Sequence, residues 1–294
     1  EAEAVEWFRK AAEQNHAGGQ YNLGVALFYG RGVDANEAEA VEWHRKAAEQ
    51  GDAGGQYVLG AMLEHGRGVD VNEAEAVEWY RKAAEQGVAL GQYKLGFMLG
   101  NGRGVDKNEA EAVEWYRKAA EQGVALGQYK LGFMLGNGRG VDKNEAEAVK
   151  WYRKAAEQGD ASSQFALGVV LADGRGVDVN EAEAVEWFRK AAEQGDAGCQ
   201  YNLGERLEHG RGVDKNEAEA VEWYRKAAEQ NHAASQARLG EMLKNGRGVD
   251  KNEAEAVEWF RKAAEQNHAG GQYNLGVALF YGRGVDANEA EAVE

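Results

Sequence analysis

The chain has 294 residues, 34 Lys and Arg against 50 Asp and Glu, a net charge of −16, one cysteine and no proline. That balance argues against nucleic acid or an anionic membrane as a partner, and the lone Cys199 excludes an intrachain disulfide framework. No apolar run approaches the roughly 20 residues of a membrane span, so no membrane insertion is expected.

The tryptophans Trp7, Trp43, Trp79, Trp115, Trp151, Trp187, Trp223 and Trp259 recur every 36 residues. A fixed period of this size is the signature of a solenoid, in which each unit buries its apolar face only against its neighbours. The expectation is one all-α domain over residues 1–294, built from eight 36-residue helix-turn-helix units. Each unit carries Arg45, Lys46 and Arg67 or their equivalents against Glu42, Glu49, Asp70, Glu73 and Glu75, with Lys150 in place of Glu42 in one unit, which spreads the negative charge along the chain.

Residues 51–86 show the elements of one unit in chain order. Helix A runs from about Ala53 to Glu64 and stops at Gly66. Its Ala53, Gln56, Leu59, Gly60 and Leu63 are the same in every repeat. A mid-helix glycine costs roughly 1 kcal/mol against alanine, so Gly60 implies a close helix approach, expected at the small pair Ala47–Ala48. Gly66 to Asp70 forms a turn. Asn72 followed by Glu75 is a capping-box pattern that opens helix B. Ala76, Val77, Trp79, Tyr80, Ala83 and Ala84 then fall on one side, with Glu78 and Lys82 paired on the other. Gly87 is the expected left-handed residue past the helix end, and Asn15, Asn231 or Asn267 takes that place in three repeats.

The run Lys82–Gly87, followed by Ala89, Gln92, Leu95–Gly96, Leu99, Gly102 and Gly104–Val105, resembles the Sel-one-like repeat family, relatives of the tetratricopeptide repeats. The resemblance covers essentially the whole chain. It implies a right-handed α/α superhelical solenoid with helix A lining the concave side. It also implies a protein-interaction or scaffolding role, as in adaptors of protein quality control and bacterial signalling. Some secreted members staple each repeat with a disulfide, which one cysteine cannot do, so a soluble chain of another type is expected.

Within helix A the variable positions make one stripe opposite the fixed residues. It holds Asn22, Val25 and Tyr29, then Val58, Met62 and His65, and then Leu90, Lys94, Phe97 and Met98 with their copies Leu126, Lys130, Phe133 and Met134. Toward the C-terminus it turns polar through Asn202, Glu205, Arg206, His209, Arg238 and Glu241, beside Met242. These are the candidate partner-binding residues. Packing between adjacent helices competes for Phe97 and Phe133, whereas Lys94, Arg206 and Arg238 are expected to face solvent.

Catalytic and metal chemistry find no foothold in the pattern. His16, His232 and His268 share one column, and His65 and His209 another. Repeats stack about 10 Å apart, too far for ligands 2.0–2.1 Å from a shared zinc. Asp106-Lys-Asn108 opens like a calcium loop but has Glu111 where the turn needs glycine. Gly100 to Gly104 follows a helix, not the strand of a phosphate cradle. The glutamates read as the solvated face of helix B, and Cys199 as a small helix residue. No cofactor is expected. The sequence therefore reads as a non-catalytic scaffold that holds a protein or peptide in a groove. The alternative is a structural array that assembles end to end: residues 1–42 are identical to residues 253–294, so the two ends should complement each other head to tail.

Overall fold

The computed structural model describes residues 1–285. It falls into two compact units, Glu1–Trp151 and Tyr152 onward. The first contains α1 (Ala2–Glu13), α2 (Ala17–Tyr29), α3 (Glu37–Glu49), α4 (Ala53–His65), α5 (Glu73–Glu85), α6 (Ala89–Asn101), α7 (Glu109–Glu121) and α8 (Ala125–Asn137). The division falls inside α9 (Glu145–Glu157). The second contains α10 (Ala161–Asp173), α11 (Glu181–Glu193), α12 (Ala197–His209), α13 (Glu217–Glu229), α14 (Ala233–Asn245), α15 (Glu253–Glu265) and α16 (Ala269–Tyr281). The chain is an all-α solenoid of helix-turn-helix repeats, with no strand among the described residues. None of the described helices is long and apolar enough to cross a membrane. Residues 286–294, part of the domain expected over residues 1–294, lie outside the described residues.

Capping chemistry sets the helix boundaries. Asn72 accepts a hydrogen bond from the Glu75 backbone N–H at 3.2 Å, as the capping pattern predicts, and its side-chain amide donates to the Glu75 carboxylate, while its own backbone N–H bonds the Leu63 carbonyl. The even-numbered helices start on Asp52, Asp160 or Asp196, or on His16, His232 or His268, each accepting from the backbone N–H three residues on. Only Val88 and Val124, before α6 and α8, offer no side-chain cap. At the other end, Gly66 closes α4 at φ 66°. Asn15, Asn231 and Asn267 hold the positive φ expected after the odd-numbered helices.

Helix α5 buries the face predicted for it, Ala76, Val77, Trp79, Tyr80, Ala83 and Ala84. Two contacts differ from expectation. The close approach at Gly60 is made by the Tyr80 ring, 2.9 Å from where a Cβ would stand, while Ala47 and Ala48 press on Gly55 instead. Lys82 lies 3.9 Å from the centre of the Trp79 ring rather than pairing with Glu78, because the indole face offers an attractive and partly desolvated seat to an ammonium.

Polar ladders at a fixed offset of 30 residues join each repeat to the next. Arg45 binds Glu75 and Arg81 binds Glu111, both at 2.5 Å. Arg189 binds Glu219 in the same way in the second unit. The turn arginines reach back likewise, Arg67 to Glu37 and Arg103 to Glu73. These carboxylates are therefore tied between helices and do not form a purely solvated face. The unvarying Gln56 is buried, donates to the Ala48 carbonyl at 3.2 Å and accepts from Gln86 at 2.7 Å. A buried amide without those partners would be costly, which explains why every repeat keeps it.

Candidate interaction surface on the even-numbered helices

The variable stripe of the even-numbered helices divides by column into three environments. Met62, Met98, Met134 and Met242 are 2, 0, 5 and 1% exposed and belong to the core. They offer no surface to a partner.

The column of Lys94 and Arg238 corrects the expectation that these cations face solvent. Lys94 donates to Glu64 at 2.9 Å, and Glu64 also accepts from the Tyr80 hydroxyl at 2.6 Å and from Arg103 at 3.3 Å. In the second unit Glu208 accepts from Arg238 at 2.9 Å and Tyr224 at 2.7 Å and forms an ion pair with Arg247 at 3.1 Å. The Glu64 and Glu208 side chains are 1 and 0% exposed. Burial alone would raise the Glu64 carboxyl, but Tyr80 and then Lys94 outweigh it and hold it below the ordinary range. Tyr224 and Arg238 do the same for Glu208. The structure thus satisfies two buried carboxylates with a phenol and two cations each, and these residues join repeats. Arg206 is also half-buried, with its guanidinium 4.8 Å from the Phe188 ring centre, and burial lowers its pKa.

What remains of the stripe is accessible. Leu90 and Leu126 are 46 and 45% exposed at equivalent places on α6 and α8. Phe97 and Phe133 are half-buried, with Arg103 and Arg139 5.8 and 5.7 Å from their ring centres. Lys130, Val25, Val58, Asn202, Glu205 and Glu241 are half-buried as well, while Asn22, Tyr29, His65 and His209 are exposed. Glu205 accepts from the Tyr201 hydroxyl, and Glu241 pairs with Arg238 within its own helix.

Cys199 is buried, and burial followed by the neighbouring Asp196 pushes its thiol up to about 12, so it stays protonated and unreactive. No group of three His, Cys, Asp or Glu able to hold a metal occurs among the described residues. One residue escaped the sequence reading. His44 on α3 is fully buried, and neither ring nitrogen has a hydrogen-bond partner. It sits in neither histidine column. The available signal was that it interrupts the column of Tyr80, Tyr116, Tyr152 and Tyr224 with Phe8, Phe188 and Phe260.

The profile of the Sel1 repeat family matches residues 1–16, 17–52, 53–88, 89–124, 125–160, 161–196, 197–232, 233–268 and 269–294. The chain is similar to a protective antigen present in uropathogenic Escherichia coli strains and displaying an SLR fold. That likeness has 38% identity and a TM-score of 0.80 over 98% of this chain and 70% of that one. It is also similar to a Sel1 repeat protein from Oxalobacter formigenes, at 31% identity and a TM-score of 0.75 over 98% and 84% of the two chains. No curated protein matches.

Proposed function

Because the chain belongs to the Sel1 repeat family, whose members generally mediate protein–protein interaction without catalysis, we propose that it is a scaffold that holds an extended protein segment along α6 and α8. The observation that carries this reading is the pair Leu90 and Leu126, exposed at equivalent places and each followed on the same helix by half-buried Phe97 or Phe133. Free apolar side chains repeated at a regular step suit a partner that is itself regular. Successive repeats stand about 10 Å apart, and an extended chain of the polyproline-II type rises about 3.1 Å per residue with three residues per turn, so such a partner would present an apolar side chain on one face at every third position. Lys130 beside these residues favours a segment without net positive charge, whereas Arg103 and Arg139 are already paired with Glu73 and Glu109.

Peptides selected from a random library against the full chain test the reading. Leu90→Ser combined with Leu126→Ser should weaken their binding at least tenfold and leave the circular dichroism spectrum unchanged. Binding unmoved by the double change would refute the α6–α8 surface. Light scattering at two concentrations separates the scaffold from the array: a constant monomer mass supports the scaffold, and growth with concentration supports end-to-end assembly.

A further inference from the structure

Three side chains at one place in the first unit are smaller than their equivalents one repeat later. His44 stands where α5 has Tyr80, and Val58 and Ala61 stand where α6 has Lys94 and Phe97. Their shortfalls fall together and leave a hollow of about 300 Å³ lined by α2, α3 and α4. Tyr21, Phe28 and Tyr57 contribute aromatic walls, Met62 an apolar one, and His65 and Arg67 also border it. The His44 ring, fully buried, lies edge-on to Tyr21 with centroids 5.6 Å apart.

The chemistry of this hollow differs from that of a simple packing defect. Neither His44 nitrogen is hydrogen-bonded, although such buried groups are normally paired. Burial lowers the imidazole to about 4, so at neutral pH it is uncharged, with one N–H to donate and one lone pair to accept. At the equivalent place in the next repeat, the Tyr80 ring fills the space and its hydroxyl is bonded to Glu64. The first repeat lacks both that ring and that carboxylate, having His44 and Phe28 instead. The Arg67 guanidinium, 4.5 Å from the Phe28 ring centre, disfavours a cationic guest.

We propose that this hollow is a binding site for a single-ring phenol, with the ring held among Tyr21, Phe28 and Tyr57 and the hydroxyl hydrogen-bonded to His44. A volume of about 300 Å³ is at the small end of ligand pockets and suits one ring rather than a fused system. Both His44 nitrogens are closed to solvent, so the guest hydroxyl meets one only as the ring turns its edge into the hollow; a hydroxyl both donates and accepts and so can pair with either nitrogen of the neutral imidazole.

The test uses the full chain with p-cresol, toluene and N-acetyltyrosinamide as probes, followed by NMR of the histidine ring signals. p-Cresol is expected to bind saturably at one site and to shift the His44 signals, with toluene at least tenfold weaker. His44→Tyr and Ala61→Phe each install the side chain found one repeat later, and each should weaken p-cresol at least tenfold. Ala61→Phe leaves His44 in place, so loss of binding in that variant, with an unchanged circular dichroism spectrum, reports the hollow itself. Non-saturable shifts, equal affinity for toluene, or undiminished binding in a folded Ala61→Phe variant would overturn the proposal. N-Acetyltyrosinamide binding as tightly as p-cresol assigns the phenol to a tyrosine of a peptide, and its exclusion assigns it to a free small molecule.

Discussion

Glu64, Tyr80 and Lys94 depend on one another, since removing any one leaves a buried polar group short of a partner. The same three positions hold Glu208, Tyr224 and Arg238 in one repeat and Ala172, Phe188 and Asn202 in another. The hydroxyl has a carboxylate to receive it at Tyr80 and Tyr224, phenylalanine stands at Phe188 beside Ala172, and Tyr116 and Tyr152 keep a hydroxyl beside Gly100 and Gly136. Glu64→Ala alone should therefore cost about 3–5 kcal/mol, the usual penalty for breaking a buried pair. Glu64→Ala with Tyr80→Phe and Lys94→Asn should cost less than the single change, measured by urea denaturation; equal or greater cost would show that the three do not act as a unit. His44 gives a prediction in pH. Its folded pKa of about 4 lies below the ordinary 6.5, so the unfolded chain binds the proton more tightly. Its contribution is present above pH 6.5 and is lost as pH falls from there to about 4, by about 3 kcal/mol in all. His44→Phe should flatten the stability profile across that window.

At the scale of the helix, α6 and α8 are the two even-numbered helices whose capping position holds valine, where α4, α10 and α12 have Asp52, Asp160 and Asp196. Val88→Asp and Val124→Asp should each stabilise the chain by about 1 kcal/mol, read from the denaturation midpoint. The helices themselves were legible in the sequence because caps, terminators and the buried face of α5 are local and recur. The site was only partly legible. Periodicity places Met98 and Lys94 on a common stripe with Leu90, but whether a stripe residue meets solvent depends on the neighbouring repeat. Lys94 turns inward because Glu64, 30 residues earlier, is buried there. His44 is not legible as a site because its column is aromatic elsewhere and its lack of partners exists only in three dimensions.

Across the molecule, the ladders link each repeat to its sequence neighbours, so disturbance should travel only as far as the next interface. Gly96→Leu would force a side chain into the Tyr116 ring, 2.9 Å from where a Cβ would stand, at a cost of about 1–3 kcal/mol. Hydrogen exchange should accelerate in α5 to α8 and stay unchanged in α13 to α15; acceleration everywhere would reveal a single cooperative block. The same ladders have a mechanical consequence. Arg45–Glu75, Arg81–Glu111 and Arg189–Glu219 are near-identical fasteners, repeated once per 36 residues. Under tension applied at its ends, the chain spreads the load over these repeated clamps, and the interfaces closed by buried Glu64 and Glu208 add further ties. Its repeats should peel away in succession, each releasing up to about 120 Å of slack, with the two reinforced interfaces yielding last.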